Sequence, residues 1–288
     1  MKIAAAVILY NPNKEEVLRN INTYIKYVDA LYIYDNTETS SSFDIEQLNF
    51  SNVYYFWDGQ NKGMSIRLNE AGNKALLDKY KWLLTMDQDS FFDKEVISNY
   101  VFSLSDLENN NQIGVVGLSN TSSSIAVINK KHFHQYIEVN HVITSGSLLN
   151  LEVYKNTKGF DENLFIDGVD WDYCIAVNLA GYRVIQFTNL FMKHSLGKIV
   201  RNASIKNLFL IKKEKSVHCP LRCYYLQRNM LYIQNKYREL NLASVQEMVN
   251  HTMSHIKTCL YYNGNFFKTL SMIKEGKKDY KHYKFGKK

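Results

Sequence analysis

A chain of 288 residues with 45% hydrophobic content is long enough to bury a full core, and its 2 prolines, 13 glycines and 14% aromatics exclude a collagen-like, linker-rich or disordered chain. The net charge of +7 favours an anionic partner without choosing among nucleic acid, a lipid surface and a diphosphate. Cys174, Cys219, Cys223 and Cys259 lack paired zinc-ligand spacing and, with no export signal, read as reduced thiols.

The apolar opening stops at Asn11-Pro12, too short for a membrane span, and predicts a buried strand over Ile3 to Tyr10. From Lys14 to Tyr27, Val17, Ile21, Tyr24, Ile25 and Val28 recur at helical spacing, and Leu31 to Tyr34 reads as the second strand. A third strand over Val53 to Trp57 leads through a polar loop, Asp58 to Gly63, into a helix over Ser65 to Leu77. Trp82 to Met86 is a fourth strand that runs into Asp87-Gln88-Asp89; a helix over Lys94 to Leu107 and a strand at Ile113 to Gly117 follow. This alternation predicts an α/β fold with a mostly parallel sheet and a functional site at the carboxyl ends of its strands.

Beyond Asn120 the pattern is irregular, with strands expected at Val142 to Leu149 and Tyr182 to Phe187 around a helix over Val169 to Ala180 whose buried face is Trp171, Ile175 and Leu179. From Ser204 onward the chain reads as helical, basic and aromatic. The expected division is a catalytic domain over 1–203 and a helical subdomain over 204–288. Its last stretch, Lys274 to Lys288, interleaves Lys277, Lys278, Lys281, Lys284, Lys287 and Lys288 with Tyr280, Tyr283 and Phe285, the composition of a tail that meets an anionic membrane surface. No stretch reaches the roughly 18 apolar residues of a spanning helix, so membrane contact is expected to be peripheral.

Three constellations bear on chemistry. Asp87 and Asp89 stand two apart at a strand end, so an extended backbone would point both one way, as hard oxygen ligands for Mg²⁺ or Mn²⁺ or as caps of the following turn. Asp167, Asp170 and Asp172 crowd a helix start, where caps account for one or two; Asp170, or else Asp172, is a candidate general base. Arg222, Tyr224, Tyr225, Arg228 and Asn229 combine phosphate-binding cations with aromatics that a core would equally use. His194, taken alone, reads as structural.

The order of Ile8-Leu9-Tyr10-Asn11-Pro12, Tyr34-Asp35-Asn36, Asn61-Lys62-Gly63, Asp87-Gln88-Asp89, Phe165 through Asp172, His194-Ser195-Leu196-Gly197 and Arg222 through Asn229 resembles inverting glycosyltransferases with the A-type, Rossmann-like fold, and more closely their rhamnosyltransferase-like branch. The resemblance covers roughly the first 235 residues and is carried by the whole set rather than by any one motif.

The resemblance implies that Tyr10, Asn11, Asp35 and Asn36 line a nucleoside pocket with Asn61, Gly63 and Arg67 nearby, and that Arg222 and Arg228 also serve the nucleotide sugar. It implies a metal and diphosphate site of Asp89 and Asp87, with Asp89 the more direct ligand and His194 completing it, and Asp170 as the base. Mn²⁺ or Mg²⁺ would be the cofactor, dTDP-rhamnose or a UDP-hexose the donor, and a glycan or polyprenyl-linked oligosaccharide the acceptor, at the cytoplasmic side of a membrane. One departure stands out: the common pattern has an acid immediately before the base, whereas here Val169 precedes Asp170. A nucleic-acid-binding protein would leave the acids without a role, so no nucleic acid is expected.

Overall fold

The computed structural model describes residues 2–39, 43, 48, 50–107, 112–119, 135–192, 198–203 and 212–288. The chain divides into two compact units, one of residues 1–161 with 170–195 and one of residues 162–169 with 196–288.

In the first unit the described elements are β1 (Ile3–Leu9), α1 (Lys14–Ile21), β2 (Ala30–Asp35), β3 (Val53–Trp57), α2 (Gly63–Leu77), β4 (Trp82–Asp87), α3 (Lys94–Leu107), β5 (Ile113–Ser119), β6 (Tyr136–Glu138), β7 (Ser147–Asn150), α4 (Leu151–Asn156), α5 (Val169–Leu179, except its first residue, which belongs to the second unit) and β8 (Arg183–Phe191). The strands form one sheet in the order β3-β2-β1-β4-β7-β5-β8-β6. Four of its pairings, β1 with β2, β1 with β4, β2 with β3 and β5 with β8, are parallel; β7 is inserted antiparallel between β4 and β5, and β6 edges β8 antiparallel.

β1 is buried along its whole length, as a central parallel strand covered on both faces must be. The chain leaves β1 through α1 to one side and returns through α2 to β4 on the other, so the strand order reverses at β1. Ligands of open α/β sheets bind at such a switch point, beside the carboxyl strand ends. Asn13 caps α1 by accepting from the Glu16 amide at 3.3 Å, with Glu15 and Glu16 favourably placed in the first turn. The helix stops at Ile21, and a short 3₁₀ turn over Ile25–Tyr27, flanked by Tyr24 and Val28, follows in place of the longer helix that the spacing suggests.

Two sequence expectations change here. Val142 to Gly146 is a loop rather than a strand; only Ser147–Asn150 pairs. Gly146, at φ 76°, turns the chain, and β4 takes up the loop's polar groups: Thr85 Oγ1 donates to the Thr144 carbonyl at 2.5 Å while the Gly146 amide donates to the Thr85 carbonyl at 2.8 Å. Val142 meanwhile fills the notch left by Gly117, where a Cβ would come within 2.5 Å of it. Leu179 is 47% exposed, so the inner face of α5 is built from Trp171, Tyr173, Cys174, Ile175 and Val177 instead.

The second unit holds an antiparallel hairpin of β9 (Lys198–Ala203) and β10 (Lys212–Val217), then α6 (Pro220–Lys236), α7 (Ala243–Tyr262) and α8 (Phe266–Lys281). The hairpin was not foreseen; it draws β9 out of the expected first domain. α8 lies close along α6: Gly276 leaves room where a Cβ would sit 2.5 Å from the Tyr224 carbonyl oxygen. The basic stretch expected as a tail is α8 and a segment pinned back on α6. Arg228 Nη1 donates to the Gly286 carbonyl at 2.8 Å, the Lys288 amide donates to the Tyr225 hydroxyl at 2.9 Å, and Phe285 packs edge-on against Tyr232. No helix among the described residues is long and apolar enough to cross a membrane.

Candidate active site

The register of the parallel strands brings the candidate donor-site residues to one edge. Ile8 pairs with Asp87, Leu9 with Asp35 and Asp35 with Trp57, so Tyr10, Asn36 and Asp58 all follow at the carboxyl ends of neighbouring strands.

Asp35 is buried and fully engaged, accepting the Thr37 amide at 2.8 Å and the Tyr55 hydroxyl at 2.7 Å. Thr37 in turn accepts the Asn11 amide through Oγ1 at 2.9 Å, which holds Asn11 in its left-handed φ of 45° and leaves Tyr10 47% exposed at the strand end. Trp57 Nε1 donates to the Thr37 carbonyl at 2.8 Å. Asn36 is a hub: its Oδ1 accepts from Arg67 Nε at 2.9 Å and from the Lys62 amide at 3.1 Å, and its Nδ2 donates to the Gly63 carbonyl at 3.2 Å. Asn61 Oδ1 accepts the Gly63 amide at 3.1 Å, shaping the turn into α2.

Arg67 is buried and satisfied by Asp58, Glu70, Asn36 and the Gln60 carbonyl, so it holds the loop after β3 in shape. Burial by itself would raise the Asp58 carboxyl, yet Arg67 and Lys62 hold it well below the usual carboxylate range.

The strand β4 ends at Asp87, and Gln88 and Asp89 form a turn closed by the Ser90 amide donating to the Asp87 carbonyl at 3.2 Å. The extended backbone assumed across both acids is therefore absent, and the turn sets their directions. Gln88 ties this turn to the first loop, accepting the Tyr10 amide at 2.8 Å and donating to the Tyr10 carbonyl at 3.3 Å; Asn20 Nδ2 donates to the Gln88 carbonyl at 3.0 Å. Asp87 and Asp89 are both half-buried. Two hard carboxylates fit Mg²⁺ or Mn²⁺, which commonly take one or two protein carboxylates and complete their shell with substrate phosphates and water. No cluster of three metal-binding side chains occurs among the described residues, and His194, the expected further ligand, lies outside them.

The acids of the second cluster part company. Asp172 is buried, whereas the Asp170 side chain is 23% exposed. Asp170 Oδ1 accepts the Trp171 amide at 2.9 Å, and Oδ2 lies 3.1 Å from His141 Nε2. His141 is itself stacked on Trp171, ring centroids 3.8 Å apart and planes 4° from parallel. Burial opposes ionisation of Asp170, but the charge and close approach of His141 hold its pKa below the ordinary carboxylate value. Nothing in the sequence marked His141; it sits in an irregular stretch with no periodicity around it.

In the second unit, Arg222 makes a two-pronged pair with Asp167, Nε to Oδ2 at 2.8 Å, and Asn229 Nδ2 donates to the Ile166 and Asp167 carbonyls at 2.7 and 2.9 Å. Asp167 and Gly168 both have positive φ, 66° and 81°, and Ile233 packs where a Gly168 Cβ would be. The Arg222-to-Asn229 motif therefore clasps the loop that leads into α5. Arg228 is enclosed by Tyr224, Tyr225 and Phe285, its guanidinium carbon 5.3, 5.1 and 5.8 Å from their ring centroids. Arg228, 1% exposed, packs among the helices of the second unit, where the sequence resemblance had implied a donor contact.

Comparison with known proteins agrees with this architecture. Solved structures of nucleotide-sugar transferases share the fold: S. aureus TarS in complex with UDP-GlcNAc matches with a TM-score of 0.61 at 12% identity, over 97% of this chain and 80% of that one. The mannosyltransferase PcManGT of Pyrobaculum calidifontis, in complex with GDP-Man and Mn²⁺, matches with a TM-score of 0.56 at 12% identity, over 98% and 83%. The fold is that of the A-type glycosyltransferases. In sequence the chain is similar to the dTDP-rhamnosyl transferase RfbF of Shigella flexneri, 25% identical over 262 residues that span 86% of this chain and 84% of that one. No protein-family profile matches the chain. In fold and in sequence the chain is thus similar to glycosyltransferases, the resemblance that the ordered motifs carried.

Proposed function

We propose that the chain is a metal-dependent, inverting glycosyltransferase that moves rhamnose from dTDP-rhamnose to a glycan or polyprenyl-linked oligosaccharide. The observation that carries the reading is a single loop that serves both acidic sites. Ser145 Oγ accepts the Asp87 amide at 3.0 Å, and four residues earlier His141 contacts Asp170. The RfbF likeness supports the choice of donor.

On this reading Tyr10, Asn11, Asn36, Asn61 and Gly63 form the nucleoside side of the site, on the frame that Asp35, Thr37 and Arg67 hold rigid. Asp89 and Asp87, with His194, would hold Mn²⁺ or Mg²⁺, which when bound neutralises charge on the departing diphosphate. Arg222 is occupied within the second unit by its pair with Asp167. Asp170 accepts the proton of the attacking acceptor hydroxyl, and direct displacement at the anomeric carbon inverts its configuration. Exposed Lys277, Lys278, Lys281, Lys284 and Lys287 give the second unit a basic face suited to anionic lipid near a lipid-linked acceptor.

The test is donor binding and hydrolysis across dTDP-rhamnose, UDP-glucose, UDP-galactose and GDP-mannose with Mn²⁺, Mg²⁺ or EDTA, comparing wild type with Asp89→Ala. Metal-dependent preference for dTDP-rhamnose, lost in the variant, is expected. Preference for a UDP-hexose would replace the rhamnosyl assignment and leave the reaction class standing, while unchanged turnover in EDTA would remove the metal.

A further inference from the structure

Each oxygen of Asp170 has a different kind of neighbour, a backbone hydrogen bond on Oδ1 and a close ionic approach of an imidazole on Oδ2. The Trp171 amide on Oδ1 comes from the helix start itself, an ordinary way for an acid there to be satisfied. The group on Oδ2 comes from far along the chain: His141 reaches α5 from the loop before β7. That imidazole has little freedom. It lies flat on the Trp171 indole, its side chain is 16% exposed, and the next residue is locked, with Val142 seated against Gly117 and its carbonyl 3.9 Å from the Cys174 thiol that donates to it. The same loop is tied to the end of β4 through Ser145 and Asp87.

We propose that His141 is a positioning residue for Asp170: clamped on Trp171 and anchored by its loop, its imidazole fixes the direction of the carboxylate that receives the acceptor's proton. This rests on the reading of Asp170 as the base. Orientation matters because a base acts only within hydrogen-bond reach of the proton it takes, and small misplacements are costly. The electrostatics agree with the geometry. His141 lowers the Asp170 pKa, and Asp170 in turn raises that of Cys174. Burial pushes the Cys174 thiol up to about 12, which keeps it neutral at ordinary pH, so the charge that opposes burial at Asp170 is that of His141, with the backbone amides adding to it.

The experiment is the pH profile of kcat/KM from pH 4 to 9, with thermal unfolding alongside, for wild type, His141→Phe, His141→Gln and Asp170→Asn. Phenylalanine keeps a ring to stack on Trp171 and removes the imidazole's charge and nitrogens, so that burial, which raises Asp170, is then opposed only by backbone amides. The acid limb of His141→Phe is expected to move up in pH, so that the loss is largest at the acid end of the profile and shrinks toward pH 8.5. Glutamine, which can donate from a similar place, should recover kcat at pH 8.5 better than phenylalanine while keeping the shifted limb. A wild-type profile in both variants, or a loss equal at every pH that tracks a fall in Tm, would overturn the proposal. Full activity in Asp170→Asn would instead sink the base assignment on which it stands, and is distinguishable because it does not involve His141.

Discussion

Asp87 and Asp89 flank a glutamine that ties their turn to the first loop, whereas Asp167, Asp170 and Asp172 are sent to three different surroundings within six residues. In the first cluster both acids stay half-buried at one strand end, and the residue between them does the anchoring. In the second, Asp167 is paired with Arg222, Asp172 is buried in the first unit, and Asp170 alone is accessible with an imidazole beside it. Acids that look alike along the chain are thus separated by what touches them. A ligand site keeps two carboxylates together; a base needs one carboxylate singled out.

Replacing members of the second cluster one at a time should break it most sharply. Asp170→Asn is expected to lower kcat by about 10²- to 10⁴-fold with little change in the unfolding temperature, as loss of a general base does. Asp172→Asn should instead act on stability, with about 1–3 kcal/mol lost and turnover of the folded fraction retained, because a buried carboxylate's contacts are disturbed. Steady-state kinetics and thermal melts on the two variants separate them, and the reverse pattern would exchange their roles.

The clasp on the loop before α5 comes next. Asn229→Ala leaves the Ile166 and Asp167 carbonyls without their side-chain donor, an expected cost of about 1–3 kcal/mol by denaturant titration. In the first cluster, Gln88→Ala should release the Tyr10 loop while both acids remain. A rise of roughly three- to tenfold in donor KM with kcat nearly unchanged is expected, the mark of lost ground-state positioning; an unchanged KM would show that the glutamine clip is incidental.

The smallest effect concerns the frame behind the nucleoside side. The folded-state pKa of Asp58 is depressed below its ordinary value of 3.8, so its contribution is present above that value and is lost as pH falls through the folded pKa. The Asp58 side chain is 35% exposed and solvent screens it, so Asp58→Asn should cost under about 1 kcal/mol at pH 7. Urea melts should show the difference from wild type fading below about pH 4.

Much of this molecule was legible along the chain. Repeated alternation of β-rich runs and helical spacing announced the parallel half of the sheet, since period alone reports which faces are buried. Val53–Trp57 and Lys94–Leu107 formed as the spacing indicated, and the ordered motifs pointed to the transferase class. The antiparallel β7 and the β9–β10 hairpin were not legible, because strand direction and pairing depend on partners distant in sequence. Arg228 shows the same limit: aromatics and cations at helical spacing suit a phosphate site or a core equally, and only the closure of Phe285 and Gly286 over it decided for the core.

Composition and order were enough to propose a metal role for Asp87 and Asp89 and a base role for Asp170, because residue type limits what a side chain can bind or accept. Which acid would be accessible, which oxygen would meet His141, and that one loop would reach both sites were decided by the tertiary structure alone. Those are distances between residues far apart in the chain, 29 positions in the case of His141 and Asp170, and no local periodicity encodes them.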